Sequence, residues 1–594
     1  MDLKFEDLNY TVNCGIIHRE QKHIIKGISG EFKACELTAV MGPSGSGKTT
    51  LLNILSGFNT DAFDGSITIN DEPRDLREFT KHSAYIMQEE NLFPLLSVRE
   101  SMSFAVKFKT GTKLTKKEQE AKVESTLRML KLENSDTFVQ SLSGGQRKRI
   151  SIAIELLNDP QIIFLDECTT GLDSFAASQC LMLLKEISRT GRTVICTIHQ
   201  PSARQFEMFD QLYVIAEGSC IFNGPAKGLV PYLKECEIPC PSSYNPADYV
   251  MEIASNDYGK HNHRLRKQIE NGRINYEKKW MEMKNNNLNN NDSNNNLSNN
   301  NYICHQHWNP NSIDDSKYSS SFLYQLKLLL LRNFLFMYRD ITYIKLRVGM
   351  SLFLTLLIGS LYFQIGHDAA NMISSYQFVM CSVYAQTYTA YFSMMVRFPL
   401  DYAIVKREHF NRHYSSMAYY LAFNLADSPL LIACSLSSNI LAYVMAGMPL
   451  EFYRVLLVAV IGVLTSFAAQ IFGIFCGSMS SVVITVIIAI PIMIWHVTFC
   501  GGFVFQKDAP ALFQFNYEID FLKHAADGVA TAVFGWDREK LPCSKLYCHF
   551  QRPADLLKNL QISQNVYKIF ISVSVILGAL HIVTYFNMKY RLKK

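Results

Sequence analysis

The sequence lacks the features that mark several common protein classes. Its 594 residues include 15 Cys, but no CxxC pair and no Cys/His block with zinc-ligand spacing, so most are expected to be reduced core residues. Charged residues are only 19% of the chain, and 58 Lys and Arg against 53 Asp and Glu leave a net charge of +5. That excess is too small for a dedicated nucleic-acid binder of this length, and we expect no nucleic-acid partner.

What the chain does contain is apolar surface. Hydrophobic residues reach 48% and aromatic residues 12%, which excludes a disordered or collagen-like chain. The polar residues gather before about residue 345 and the long apolar runs follow it, so we expect more than one domain and a membrane part in the second half. The first residues show no basic region followed by an apolar stretch, and Asp2 excludes N-myristoylation, so the N-terminal part is expected to stay in the cytosol.

Residues 1–255 alternate short β-rich runs with helical stretches. This is the pattern of an α/β domain with a largely parallel sheet covered by helices on both faces. The clearest strand signals are residues 37–41, 161–165, 193–198 and 212–216. We expect this domain to be cytosolic.

A change of composition separates this domain from the apolar half. Residues 256–318 are polar and include an Asn-rich run at 285–301, which predicts a flexible cytosolic linker. Residues 319–340 combine an apolar face with Lys327, Arg332 and Arg339, as in a connecting helix that lies along the membrane surface. A helix packed in a soluble core is the alternative.

Residues 341–594 are expected to form an all-α domain with six membrane spans. Each candidate is close to the roughly 20 residues that a bilayer requires. Positive charges after the last span and between spans two and three, with none at 366–376, place both termini in the cytosol and a segment near 501–565 outside. The candidate spans are 346–365, 377–395, 418–445, 455–478, 482–500 and 566–586.

The strongest local motif follows the first buried strand signal. The pattern G-x-x-x-x-G-K-[ST] stands between a strand and a helix, which is the context of a phosphate loop. Lys48 is expected to reach the β and γ phosphates, and Thr49 to ligate Mg²⁺. The sequence therefore predicts binding of ATP and Mg²⁺ by Gly42, Pro43, Ser44, Gly45, Ser46, Gly47, Lys48, Thr49 and Thr50.

Two carboxylates follow a second buried strand. The apolar run 162–165 precedes Asp166 and Glu167, so both are expected at the carboxyl edge of the parallel sheet, beside the nucleotide. Asp166 is expected to hold Mg²⁺ through water. Glu167 is placed to polarise the water that attacks the γ phosphate.

The order of the remaining motifs resembles that of ATP-binding cassette transporters. After the phosphate loop come Gln88 in YIMQ, LSGGQ at 142–146, FLDE, GLDS at 171–174 and His199 in TIHQ. The resemblance implies that Gln88 joins the Mg²⁺ shell, that His199 hydrogen-bonds the γ phosphate, and that Asp173 contacts the opposite site. It also implies that the LSGGQ of one subunit closes over the ATP of the other, through Ser143, Gly144, Gly145 and Gln146. Cys168 stands where the family usually has Pro.

Domain order narrows the resemblance to the G subfamily, the White-type half transporters. NPADY at 245–249, CTIHQPSA at 196–203, RDL at 74–76 and KREH at 406–409 are similar to motifs of that subfamily. Its sterol- and phospholipid-exporting branch is the most similar, which implies ATP-driven lipid export at the plasma membrane. Transport of pigment precursors or xenobiotics is the alternative. A soluble ATPase is contradicted by the apolar spans, and a channel with a degenerate cassette by the intact Lys48, Glu167 and LSGGQ.

One cassette holds half of each composite ATP site, so a working unit needs two chains, as a homodimer or with a different half transporter. Gly473 and Gly477 in span four would allow close helix packing, either within the chain or across the dimer. Asp427 in span three is either a functional intramembrane carboxylate or an interfacial helix cap.

A substrate cavity and a disulfide bond are predicted in the membrane part. Tyr384, Tyr388 and Tyr391 share one helical face. The resemblance to the G subfamily implies that this helix borders the central substrate cavity and that Phe503 is a gate residue, so these side chains are expected to line the cavity. Ordinary helix packing is the alternative for the tyrosines. In the oxidising outer compartment Cys543 and Cys548 are expected to form a disulfide with each other, with a bond to the partner chain as the competing interpretation.

Overall fold

A computed structural model describes residues 1–14, 20–58, 63–132, 135–282, 318–479, 481–536 and 538–593. The chain divides into two compact units. The first comprises Met1–Ser321 and Phe410–His413, and the second Phe322–His409 and Tyr414–Lys594. The Asn-rich run at 285–301, and with it most of the predicted linker, lies outside the described residues.

The first unit contains two sheets. A mainly parallel sheet has the strand order β10-β9-β3-β8-β7-β6, in which only the β9–β10 pair is antiparallel, and an antiparallel sheet has the order β2-β1-β4-β5. The α/β fold with a largely parallel sheet is thus confirmed. The strands are β1 Leu3–Cys14, β2 Glu20–Phe32, β3 Leu37–Met41, β4 Asp64–Ile69, β5 Glu72–Pro73, β6 Ser83–Ile86, β7 Ile162–Leu165, β8 Thr193–Thr197, β9 Gln211–Ala216 and β10 Ser219–Pro225.

The central strands are buried along their whole length. Every residue of β3, β7 and β8 is inaccessible to solvent, as expected for parallel strands covered on both faces. The helices that cover them are α1 Lys48–Ser56, α2 Leu76–His82, α3 Val98–Thr110, α4 Lys116–Met129, α5 Gly144–Leu156, α6 Ser174–Arg189, α7 Ala203–Phe206, α8 Leu229–Glu235, α9 Pro246–Ala254 and α10 Asn262–Gln268. The loops at the carboxyl ends of β3, β7 and β8 carry the candidate ATP site.

The first unit continues past residue 255, where the sequence predicted its end. Asn271 is buried and donates hydrogen bonds to the carbonyl oxygens of Lys26 and Gly27 at 2.8 and 2.6 Å. Tyr276 lies in the same apolar core as the sheet. The composition becomes polar after residue 255, which is why the sequence predicts the end of the domain there. Individual buried residues within that polar stretch nevertheless belong to the core of the first unit.

The second unit is built from helices alone among the described residues. They are α11 Phe322–Arg339, α12 Ile341–Leu361, α13 Met372–Phe410, α14 Ser416–Met445, α15 Phe452–Gly477, α16 Val482–Phe499, α17 Ala511–Ile519, α18 Phe521–Phe534, α19 Pro553–Asn559 and α20 Val566–Lys593. Within the described residues, five of these are long and apolar enough to cross a membrane: α12, α14, α15, α16 and α20. The predicted second span lies in α13, a helix of 39 residues that is not among the five. The membrane domain is therefore confirmed as helical, and the count of six spans stays a prediction.

The connecting helix α11 presents a face that the sequence did not predict. Arg332, expected at a polar surface, is 2% exposed, and its Nη1 donates to both carboxylate oxygens of Glu408 at 2.9 Å. Lys327 is exposed, as are several large apolar side chains of α11, of which Leu323 and Tyr338 are the most accessible. The helix packs against α14 and buries Arg332 among both polar and apolar side chains, so the expectation that Arg332 lies on a polar surface is wrong.

The segment at 501–565 contains a buried helix. Nearly all of α18 is inaccessible, and it packs against α15 and α20. At Gly528 an added Cβ would lie 2.8 Å from Ile461 of α15, so the small residue permits close helix packing. Part of the segment predicted as an outer connection therefore belongs to the core of the helical unit.

Candidate ATP site

The loop between β3 and α1 has a backbone that only glycine adopts easily. Gly42 has φ 152° and Gly47 has φ 106°, and a Cβ on Gly42 would lie 2.2 Å from the carbonyl oxygen of Ile215. Gly47 is the N-cap of α1, which has no side-chain cap. The N–H groups of its first turn are therefore directed to the loop, as in helix N-termini that bind phosphate.

Lys48 folds back over this loop. Its Nζ donates hydrogen bonds to the carbonyl oxygens of Gly42 and Pro43 at 2.7 and 3.0 Å. Burial lowers the pKa of Lys48, and the nearby charges of Glu167 and Asp166 oppose that shift. The side chain thus lies at the loop as a cation that can turn to phosphate oxygens.

Asp166 lies at the end of β7, beside the loop. Its Oδ1 accepts hydrogen bonds from Thr49 Oγ1 at 3.2 Å and from Thr197 Oγ1 at 2.7 Å. Burial raises the pKa of Asp166, and both hydrogen bonds oppose this shift. The structure thus brings together Thr49 and Asp166, two of the three side chains that the sequence predicted at the metal position.

Glu167 adopts an unusual backbone conformation. Its φ is 47°, in the left-handed region that residues with a Cβ rarely occupy. Its Oε2 accepts hydrogen bonds from Gln88 Nε2 at 2.7 Å and from Thr170 Oγ1 at 2.8 Å. Gln88 and Glu167 are therefore in contact, as expected if both act on the same nucleotide. Thr170 is a further residue of the site that no sequence motif indicates.

The LSGGQ segment begins α5. Ser143 is the N-cap, and its side chain and that of Gln146 exchange hydrogen bonds with each other's backbone N–H. Gly145 packs against α6, where an added Cβ would lie 2.9 Å from the Cβ of Ala176. Asp173 caps α6 and accepts a hydrogen bond from the N–H of Ala176 at 2.7 Å. Both segments thus present exposed helix N-termini side by side.

Sequence reasoning missed Lys148, which follows LSGGQ by two residues. It is 1% exposed, and its Nζ donates to the carbonyl oxygens of Met87 and Gln88 at 3.1 and 3.2 Å. The ammonium group therefore connects the LSGGQ helix to the backbone of Gln88. His199, by contrast, lies exposed two residues beyond the end of β8.

These residues fit a nucleotide triphosphate with a divalent cation. Ser46 Oγ is buried at the loop with no hydrogen-bond partner among the described residues, and the face of Gly45 is open. Hydroxyl, carboxylate and amide oxygens, the donors that Mg²⁺ takes, are supplied by Thr49, Asp166 and Gln88. A Mg²⁺ ion held there would neutralise charge that develops on the phosphate oxygens.

Comparison with known proteins agrees with this geometry. A family profile described as ABC transporter matches residues 25–170, and two described as ABC-2 type transporter match 324–534 and 199–328. ABC transporter G family member 1 of Petunia hybrida is 30% identical over 457 residues, which are 75% of this chain and 70% of that protein. This chain belongs to the ABC transporter G family.

Other members of the family align over similar lengths. G family member 11 of Arabidopsis thaliana is 30% identical over 75% of this chain, which spans 65% of that relative. Protein white of Drosophila melanogaster is 28% identical over 86% of this chain and 74% of its own length. The resemblance to White-type half transporters is thereby confirmed, and the cassette is that of ATP-hydrolysing transporters.

In this G-family chain the three tyrosines of α13 do not share one environment. Tyr391 is 3% exposed and donates a hydrogen bond to the carbonyl oxygen of Ala489 at 3.0 Å. Tyr384 is half-buried, with its hydroxyl at the thiol of Cys500. Tyr388 is 41% exposed and stacks on Phe392, with 5.7 Å between ring centroids. The prediction that all three line one cavity therefore needs correction, because α16 covers Tyr391.

Two further parts of the second unit contain residues that the sequence singled out, and the role of Phe503 as a gate stays a prediction. Phe503 follows α16 and is 73% exposed. Cys543 and Cys548 form a disulfide with each other, with 6.0 Å between their Cα atoms. The same loop is bound to the connection between α12 and α13, where the N–H of Ala369 donates to the carbonyl oxygen of Pro542 at 2.8 Å.

Proposed function

We propose that this chain is one half of a dimeric, ATP-driven exporter of lipids, a sterol, a phospholipid or both, with ATP and Mg²⁺ at a composite site. The proposal is carried by the contacts of Thr49 with Asp166 and of Gln88 with Glu167 beside the phosphate loop. The described part of the same chain also contains five helices long and apolar enough to cross a membrane. A cassette and a membrane unit in one polypeptide couple hydrolysis to transport.

The residues of the site have distinct roles in this proposal. Lys48 leaves the carbonyl oxygens of its own loop and binds the β and γ phosphates, together with the N–H groups at the start of α1. Glu167 accepts a proton from the attacking water at its carboxylate, while Gln88, which donates to the same carboxylate, keeps that group oriented. His199 donates to the γ phosphate from the end of β8.

A second chain completes each site. The exposed N-terminus of α5, with Ser143 as its cap, offers backbone N–H groups and a hydroxyl to the γ phosphate bound by the partner. Asp173 lies beside it at the start of α6 and contacts the opposite site. We propose a homodimer, with a different half transporter as the alternative partner.

The cargo proposal rests on exposed aromatic side chains of the second unit. Tyr388 and its stacked neighbour Phe392 present a flat surface with one hydroxyl, which suits the ring system of a sterol. Phe503 is an exposed candidate for the gate. We place the protein in the plasma membrane, as its resemblance to the lipid-exporting branch implies. Both termini are placed in the cytosol, because Lys and Arg are concentrated after the last predicted span and between predicted spans two and three.

Reconstitution of the full chain in proteoliposomes tests this function. Transport and ATPase activity would be measured with a panel of labelled sterols, phospholipids and tryptophan-derived compounds, with Glu167→Gln as the matched inactive control. ATP-dependent movement of a sterol or phospholipid by the wild type alone is expected. Movement of only the tryptophan-derived compounds would favour pigment precursors, and movement of none by an active ATPase would contradict the cargo proposal.

A further inference from the structure

We propose that Thr197 is a positioning residue of the ATP site, whose hydroxyl group binds the carboxylate of Asp166 and the backbone N–H of Glu167 and so positions both acidic residues. This rests on the proposed function, because it takes Asp166 and Glu167 as the acidic residues of hydrolysis. Thr197 is the last residue of β8 and is 0% exposed. Its strand pairs with β7, with Cys196 opposite Leu165, so Thr197 lies beside the residues that follow β7.

The hydroxyl group of Thr197 makes two contacts at once. Its Oγ1 accepts a hydrogen bond from the backbone N–H of Glu167 at 2.6 Å and lies 2.7 Å from Asp166 Oδ1. A backbone N–H only donates and an ionised carboxylate only accepts, while a hydroxyl does both. The directions are therefore determined: Thr197 accepts from Glu167 and donates to Asp166.

A third contact extends this support along the chain. The carbonyl oxygen of Thr197 accepts a hydrogen bond from the N–H of Cys168 at 3.4 Å. Three consecutive residues, 166–168, are thus bound to one threonine. A proline at position 168, as the family usually has, lacks the N–H for this bond, so the third contact is available to Cys168 in this chain.

The support matters most at Glu167. A left-handed φ of 47° is unfavourable for a residue with a Cβ and persists only where surrounding contacts hold it. The hydrogen bond from its own N–H to Thr197 is such a contact. With the backbone held there, the carboxylate reaches Gln88 and Thr170.

Asp166 depends on Thr197 in another way. Thr49 also donates to Asp166 Oδ1, at 3.2 Å, but Thr49 is the residue expected to turn to the metal when nucleotide binds. Thr197 is buried and remains at Oδ1 when that happens.

The test compares two variants of Thr197 with a control in the full-length protein. Thr197→Val keeps the shape and removes the hydroxyl, whereas Thr197→Ser keeps the hydroxyl and removes the methyl group. Thr38→Val is the control, because Thr38 is 1% exposed in the adjacent strand β3 and its Oγ1 has no hydrogen-bond partner among the described residues. Each protein is measured for kcat and KM of ATP hydrolysis, and for binding of a fluorescent ATP analogue with and without Mg²⁺.

We expect Thr197→Val to lower kcat by about 10- to 100-fold, because the loss of one hydrogen bond to a charged group has an effect of this size. The KM for ATP should change little. The tightening of analogue binding by Mg²⁺ should shrink as well. Thr197→Ser and Thr38→Val should resemble the wild type. Equal losses in Thr197→Val and Thr197→Ser, or wild-type values in Thr197→Val, would overturn the proposal.

The binding measurement separates two kinds of failure. If the wild type binds the analogue but does not hydrolyse ATP, the proposed function fails. Even in that case, the tightening of analogue binding by Mg²⁺ tests the proposal for Thr197. It should be smaller in Thr197→Val than in Thr197→Ser if Thr197 orients Asp166, and equal in the two variants if it does not.

Discussion

Arg347 donates a hydrogen bond to Asp427 inside the helical unit, with 2.5 Å between Nη1 and Oδ2. Both side chains are 3% exposed, and Tyr343 donates to the other carboxylate oxygen at 3.1 Å. Arg397 approaches the same carboxylate to 3.7 Å. Asp427 is therefore the anion of a buried charge cluster that joins α12, α13 and α14, and not the cap of a helix end.

Breaking this pair should destabilise the protein strongly. Asp427→Asn leaves the buried guanidinium group of Arg347 without its counter-charge, whereas Arg397 keeps Asp401 at 3.7 Å. Loss of one partner of a buried pair costs about 3–5 kcal/mol. We expect a clearly lower unfolding temperature in detergent. The double variant Arg347→Met with Asp427→Leu replaces the pair by apolar side chains and should recover part of the loss, and a double variant worse than the sum of its parts would contradict the pairing.

Glu167→Gln should separate binding from hydrolysis. The amide cannot accept the proton of the attacking water, so we expect a loss of roughly 10²–10⁴-fold in ATPase rate with ATP binding retained. Lys48→Met should instead weaken ATP binding, because it removes the cation at the phosphates. Rates and equilibrium binding on the same purified proteins distinguish the two, and wild-type turnover by Glu167→Gln would remove this residue from the mechanism.

Mixed dimers should recover activity that neither parent has. A chain with Lys48→Met and a chain with Ser143→Arg place both lesions in one composite site and leave the other intact. Differently tagged copies, purified in sequence from cells that express both, are assayed for ATP hydrolysis. If the mixed dimer is no more active than either variant alone, sharing between chains is wrong or one intact site does not suffice.

Tyr388 and Tyr391 should behave differently when truncated. Tyr388→Ala removes exposed aromatic surface, which is worth about 1–2 kcal/mol of contact with a flat apolar cargo, so sterol stimulation of the ATPase should need roughly tenfold more sterol. Tyr391→Ala removes buried packing and should lower the unfolding temperature. Tyr567→Ala, at an 83% exposed tyrosine of α20, is the matched control. Equal stimulation in Tyr388→Ala and wild type would exclude Tyr388 from the cargo surface.

Glu36 should make the stability of the first unit depend on pH. Burial raises the pKa of this carboxyl group to about 7, the charges of Glu277 and Asp210 add to the shift, and Lys33 opposes it. Because the folded state holds the proton more tightly than the unfolded state, stability falls as the pH rises from about 4.3 to about 7.

The variant Glu36→Gln tests this dependence. It should be more stable than the wild type at about pH 8 and should show a flatter pH dependence, since it has no proton to lose. Thermal unfolding of the full chain in detergent measures it, with Glu31→Gln at an exposed position as the control. Parallel pH profiles of Glu36→Gln and wild type would exclude Glu36 as the cause.

The ATP site could be predicted where its residues form contiguous motifs. The phosphate loop and the pair Asp166–Glu167 depend on local strand–loop geometry, which a short pattern specifies. Thr197 and Lys148 could not be found this way, because each acts through a partner 31 or 60 residues distant. The spacing of neighbouring residues in the sequence does not predict contacts between residues so far apart.

The helical unit could be predicted less fully. Periodicity places Tyr384, Tyr388 and Tyr391 on one side of α13, but it does not say which neighbouring helix covers that side. The burial of helix α18 could not be predicted for a related reason. Its alanines, valines and glycine have the composition of a short apolar segment, and only the partners α15 and α20 show that it is buried.

The two glycines of α15 lie against α13 of the same chain. A methyl group at Gly473 would lie 2.4 Å from the carbonyl oxygen of Tyr391, and one at Gly477 would lie 3.1 Å from Pro399. Of the two alternatives for these glycines, the structure therefore supports packing within the chain. Because no side chain separates the two backbones at these points, we expect α13 and α15 to move as one body in any conformational change of the helical unit.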